Sequence, residues 1–170
     1  KLAGATVIGL TGSAEKCLWL VEELGYDIAI NYKDVDWYEQ LVDAAPERLD
    51  VIFDNVGGSI LDESLRLIGM HGVVLLCGST SQYSEEEMSG PSNYIWLGTM
   101  RARMQGFVIF DYAERYPEAR AKMARWVRDG RLKIPSYEVA GDVDAFPEAF
   151  QQLYQGKNLG KMLLKLPAAT

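Results

Sequence analysis

Histidine and cysteine are scarce in this sequence. His71 is the only histidine, and the two cysteines, Cys17 and Cys77, stand 60 residues apart. A protein zinc site gathers three or four ligands, largely from these residue types, into one cluster, so no resident metal is expected. Long apolar runs are lacking too. The longest aliphatic stretches, such as residues 73–77, cover five or six positions, against the roughly 20 that cross a bilayer. Positive charge is in deficit: 17 Lys and Arg face 24 Asp and Glu, a net charge of −7. An acidic chain repels polyanions, so nucleic acid is not an expected partner. A small phosphate ligand stays admissible, because one lysine or a helix N-terminus outweighs a global field locally. No charged segment leads into an apolar core as in a secretory signal, and free thiols suit a reducing compartment; the cytoplasm is the expected location. Finally, no two of the 16 glycines are separated by a single residue, so G-x-G-x-x-G does not occur.

What remains is an ordinary globular composition, 48% hydrophobic and 24% charged. At about 150 residues per domain, 170 residues make one domain and a fraction. The opening Lys1-Leu2-Ala3-Gly4 reads as the last turn of a helix with Gly4 as its stop. A turn that short is not stable alone, and the expectation is that a preceding segment belongs with it.

From Ala5 the pattern alternates. Strands are predicted at 5–10, 27–31, 50–54 and 73–77, and helices at 13–24, 37–45 and 59–68, with Ser13 as the first helix's N-cap. Strand centres recur roughly every 22 residues with a helix between, the rhythm of βαβ units and a parallel sheet. Residues 78–104 then form a long connection, of the kind that is usually functional, with a helical pattern after Pro91. Beyond it lie a predicted strand at 104–110, a helix at 117–130, strands at 137–140 and 162–166, and a helix at 143–155. The last 35 residues no longer read as regular βα units and are expected to belong to a different sheet.

Ligands of open parallel sheets bind beyond the carboxyl ends of the strands. Small and polar residues follow each predicted strand here: Thr11-Gly12-Ser13, then Tyr32-Lys33, then Asn55-Val56-Gly57-Gly58, then Gly78-Ser79-Thr80-Ser81-Gln82-Tyr83. Any one such turn is ordinary turn chemistry. Four in succession are better read as one groove. In dinucleotide-binding folds an acidic residue after the second strand accepts from the adenine ribose and repels a 2′-phosphate. Here that turn is Gly12 and Ser13, uncharged, with Lys16 one helical turn on and Tyr32 after the next strand. A hydroxyl, a cation and a helix start favour a phosphate, against the plain alternative of a solvated lysine.

Ordered motifs carry a resemblance. They are Ala5-Thr6-Val7-Ile8-Gly9, Gly12-Ser13-Ala14-Glu15-Lys16, Asn31-Tyr32-Lys33, Phe53-Asp54-Asn55-Val56-Gly57-Gly58, Cys77-Gly78 through Gln82-Tyr83, Gly90-Pro91-Ser92-Asn93-Tyr94, Gln105-Gly106-Phe107 and Gly156-Lys157-Asn158-Leu159-Gly160-Lys161. Over nearly its whole length the chain resembles the zinc-independent medium-chain dehydrogenase/reductases of the leukotriene B4 12-hydroxydehydrogenase, or prostaglandin and alkenal reductase, group. The resemblance implies an α/β Rossmann-type doubly wound sheet over residues 1–133. The first strand and glycine loop of that fold are not in the sequence. Residues 134–170 are then a tail returning to a barrel-like catalytic domain, also not in the sequence.

It further implies an NADP-dependent oxidoreductase that reduces the double bond of α,β-unsaturated ketones and aldehydes. Lys16 and Tyr32 would hold the 2′-phosphate beside Gly12 and Ser13. Asn55 and Cys77, Gly78, Ser79, Thr80, Ser81, Gln82 and Tyr83 would line the nicotinamide end. Phe107, Val108 and Ile109 would place backbone beside the carboxamide, and Asn158 would close over the cofactor. Tyr83 is the candidate catalytic residue, a phenol that donates to the substrate oxygen; packing in a loop is the competing reading. A homodimer through the 104–110 edge strand is implied as well.

Tyr94 and Trp96 are read either as an apolar substrate lining or as packing, Cys77 as packed at a strand end, and His71 as solvated. A non-catalytic nucleotide-binding or assembly module is the alternative of another class. A methyltransferase-type sheet is disfavoured by the pair Lys16 and Tyr32.

Overall fold

The computed structural model describes residues 1–83, 89–156 and 158–167. Residues 84–88 of the long connection, and Lys157 of the last motif, lie outside the described residues. The chain divides into two compact units, Lys1–Ala29 with Pro117–Thr170, and Ile30–Tyr116.

The second unit carries the core. Strands β3 (Leu49–Asp54), β4 (Ile68–Leu76) and β5 (Arg103–Gly106) form a three-stranded sheet in that order. Both pairings are parallel. Asp54 is level with Leu76, and Leu76 with Gly106, so three strands end in one row. Helix α3 (Gly58–Leu65) packs on the sheet by the face that carries Leu61, Ser64 and Leu65. Leu61, Leu65, Ile68 and Val74 form the buried cluster, and full burial of each such side chain contributes about 2 kcal/mol. Ser64 is tolerated inside because its hydroxyl donates to the Ile60 carbonyl (2.7 Å). Helix α4 (Ile95–Thr99) returns the long connection to this core, with Trp96 and Leu97 packed against the cluster. Helix α2 (Trp37–Ala44) buries Leu41.

In the first unit, β1 (Ile8–Thr11) precedes α1 (Ala14–Glu22). The carboxyl of Asp27 is held below the usual carboxylate range by the Lys1 ammonium that donates to it and by the Val7 N–H at 2.9 Å. Helices α5 (Tyr116–Arg128) and α6 (Phe146–Tyr154) and strands β6 (Ser136–Ala140) and β7 (Lys161–Lys165) complete it, β6 and β7 pairing in parallel as a sheet of their own.

Strand β1 forms a two-stranded sheet with β2 (Ile28–Asn31).

Three expectations need correction. Strand β5 stops at Gly106 instead of 110, and Ile109–Arg115 winds into a 3₁₀ segment. The Phe107 ring packs against Tyr112 at 5.3 Å, a contact that an extended chain would not make. Helix α3 ends at Leu65, and β4 begins at Ile68, well before 73. From Ile68 to Val73 the strand advances five positions while β3 advances two; the excess bulges at Gly69–Gly72, with His71 at φ 61° and its N–H donated to the Met100 carbonyl (2.9 Å). The predicted helix at 143–155 is a 3₁₀ turn at Val143–Ala145 followed by α6.

Candidate active site

The common end of β3, β4 and β5 opens into a cavity of about 360 Å³. Its position follows from register alone: Asp54, Leu76 and Gly106 line it, and so do Cys77 and Phe107, each one residue beyond its strand.

Asp54 organises the first wall. It is buried at 5% exposure and forms no ion pair among the described residues. Instead its carboxylate accepts from the N–H of Val56 (3.1 Å) and of Gly57 (3.0 and 3.1 Å). Its backbone carbonyl accepts from Cys77 N–H (2.8 Å) and Gly78 N–H (3.3 Å). One residue therefore fixes the turn after β3 and binds it to the turn after β4. A charge buried in this way is stabilised by the N–H groups aimed at it. Gly57 and Gly58 take φ of 71° and 58°, the left-handed region that favours glycine. A Cβ on Gly58 would stand 2.9 Å from Ser81 Oγ.

The second wall, Cys77 to Gln82, is sewn to the first. Thr80 N–H donates to the Asn55 carbonyl (3.1 Å), Ser81 N–H to Val56 (3.0 Å), and the Ser81 hydroxyl also to Val56 (2.6 Å). Of the residues assigned here from sequence, Cys77, Gly78, Ser79 and Gln82 line the cavity, as do Phe107 and Val108. Asn55, Thr80, Ser81, Tyr83 and Ile109 are not in its lining; Thr80 and Ser81 hold the walls together. Tyr83 is exposed, with its phenol oxygen 3.6 Å from where a Gly78 Cβ would be. The Cys77 thiol is exposed at the cavity rather than packed. Tyr94 is exposed, and Trp96 packs on the core beneath the Arg48 guanidinium; neither lines the cavity.

Other assigned residues lie elsewhere. Ser13 caps α1, its Oγ accepting from Lys16 N–H (3.3 Å) and keeping its own O–H to donate. Gly12 precedes it, half-buried. Lys16 is half-buried, and its Nζ lies 3.5 Å from the position of a Gly156 Cβ. Tyr32 follows β2 inside a turn where the Asn31 Oδ1 accepts from Lys33 N–H (3.2 Å). Asn158 donates its amide to the Gly160 carbonyl (2.7 Å).

Sequence reasoning gave no role to Asp54, Leu61, Ser89, Pro91 or Gly106, all in the lining. Asp54 had a signal: an aspartate closing a strand before Asn-Val-Gly-Gly is the start of an Asx-type turn. Among the described residues the lining holds no Lys or Arg, and its one ionisable carboxylate, Asp54, is already bonded to its own turn, so it suits a ring rather than a phosphate, and its volume lies at the small end of ligand pockets.

Residues 1–125 match the family model described as "Zinc-binding dehydrogenase". The chain belongs to the zinc-binding dehydrogenase family. Over 98% of its length it is 38% identical to YfmJ of Bacillus subtilis (strain 168), covering 50% of that protein. Over 96% of its length it is 36% identical to the 2-alkenal reductase (NADP(+)-dependent) of Nicotiana tabacum, covering 48%. It superposes on the crystal structure of CurA in complex with NADPH from Vibrio vulnificus with a TM-score of 0.90, at 36% identity, over 99% of this chain and 51% of that one. The fold is therefore the Rossmann type that the motifs implied. The chain spans about half the length of the curated relatives it matches. Among the described residues no group of three or more His, Cys, Asp or Glu is placed to hold a metal ion, and no helix is long and apolar enough to cross a membrane.

Proposed function

We propose that this family member is the cofactor-binding portion of an NADP-dependent oxidoreductase that reduces the carbon–carbon double bond of α,β-unsaturated ketones and aldehydes. The observation that carries the reading is the cavity at the shared carboxyl end of β3, β4 and β5, where an open parallel sheet takes its ligand. Relatives named as an NADP(+)-dependent 2-alkenal reductase and an NADPH-dependent curcumin reductase support the substrate class.

NADPH, when bound, supplies the hydride. The chain's own residues orient and shield it. Asn55, the 77–83 turn and the backbone of Phe107, Val108 and Ile109 receive the nicotinamide and its carboxamide. The apolar lining contributed by Leu61, Leu76 and Phe107 excludes water there. Lys16, Tyr32, Gly12 and Ser13 receive the 2′-phosphate, and Asn158 covers the cofactor. Tyr83 donates its phenol O–H to the substrate oxygen as negative charge develops on it. The protein acts in the cytoplasm as a homodimer.

The test is a titration of NADPH into the chain by nicotinamide fluorescence, together with enone-dependent loss of NADPH absorbance in the protein that carries this sequence. Saturable binding and turnover of simple enones and enals are expected. Binding without turnover on any such substrate would leave a nucleotide-binding module and defeat the enzymatic reading.

A further inference from the structure

One wall of the cavity is not supplied by the strand ends. Ser89 and Pro91 line it, and neither belongs to a helix or strand. This wall is tied at both sides. Ser89 N–H donates to Gln82 Oε1 (2.9 Å). Two residues past Pro91, Asn93 grips Asp62 of α3 twice: its backbone N–H donates to Asp62 Oδ1 (2.7 Å) and its side-chain amide to the Asp62 carbonyl (3.1 Å). Asp62 directly follows Leu61, itself in the lining. Beyond Asn93 the chain enters α4, which is fixed to the core by Trp96 and Leu97. Apolar packing therefore holds α4, and hydrogen bonds hold the wall.

We propose that Asp62 and Asn93 are positioning residues for the ligand of this cavity. Their paired hydrogen bonds set Pro91 against the strand-end walls, so affinity depends on a pair of residues that are not themselves in the lining. The inference rests on the cavity being the nicotinamide site. A ligand wall displaced even slightly loses complementarity, which is why site residues need rigid support. The chemistry is specific. Asparagine at 93 offers a side-chain donor to a carbonyl, whereas aspartate there would set a carboxylate against that carbonyl. At 62 either Asp or Asn offers the oxygen that Asn93 N–H requires, and Ala does not.

The test compares Asp62→Ala with Asp62→Asn in the chain by two readouts, hydrogen exchange at the Asn93 amide and the dissociation constant for NADPH. Asp62→Ala is expected to speed Asn93 exchange and to weaken NADPH binding roughly fivefold, the scale of one ordinary hydrogen bond. Asp62→Asn is expected to restore both to within about twofold, with a melting temperature like that of the parent. Equal weakening by both substitutions would overturn the proposal, because that would report a charge effect or a general loosening. Faster exchange with unchanged NADPH affinity would overturn it as well. A parent chain that binds no NADPH defeats the functional reading instead; the exchange arm still decides whether the pair holds the wall, and unchanged exchange in Asp62→Ala would overturn that.

Discussion

Lys16 and Asp54 show two uses of a single charge. Lys16 is half-buried at the first turn of α1 and pairs with no carboxylate among the described residues, so its charge is available to a ligand. Asp54 is buried and spends its charge on N–H groups of its own turn. Lys16→Ala should therefore raise the Michaelis constant for NADPH about tenfold and leave NADH unchanged, the loss expected for one charge-assisted contact. Equal effects on the two cofactors would remove Lys16 from the phosphate site. The two residues also differed in how far sequence revealed them. A cation one turn into a helix, after Gly12 and Ser13, has a visible meaning. A carboxylate does not announce burial, because in sequence it reads as solvated; only the N–H groups that converge on Asp54 make burial tolerable, and these depend on glycine torsions that exist in three dimensions alone.

At the scale of the element, the turns after β3 and β4 behave as one piece because Ser81 and Thr80 bind back to Val56 and Asn55. Gly58 is where this piece is most constrained. Gly58→Ala must accept φ 58° and a Cβ 2.9 Å from Ser81 Oγ, and should cost about 1–2 kcal/mol in denaturant unfolding. Gly98→Ala, in α4 with no neighbour within 4 Å, should be neutral or stabilising by up to about 1 kcal/mol; a matching loss at both positions would refute the assignment of strain to the turn. Alternation of apolar and helical patterns made most strands and helices legible, and with them the row of strand ends. The pattern failed where distant residues decided the backbone. Phe107 to Phe110 is as apolar as a strand, yet Phe107 gives its N–H to the Leu76 carbonyl (2.9 Å) as the last rung and its ring to Tyr112, and the chain then coils. Residues 69–72 fall between the predicted helix and the predicted strand, whereas the long β4 absorbs them in a bulge.

At the scale of the whole molecule, the two compact units are unequal in how they use the sequence. Ile30–Tyr116 is one continuous stretch, while the other unit joins Lys1–Ala29 to Pro117–Thr170. Continuity has a consequence in time. Closing a contact costs more entropy the farther apart its partners lie in the chain, and chains rich in nearer contacts order sooner. During synthesis the Ile30–Tyr116 stretch has emerged whole before the other unit has its second part. The core around Leu65 and Val74 should thus acquire amide protection first on refolding, with α1 and β1 following; protection of α1 ahead of that core would contradict this order. The cavity, made entirely from the continuous unit, should then take shape ahead of the unit whose two parts lie on either side of it in sequence. Its walls would be in place before the helices and strands that follow residue 116 are finished.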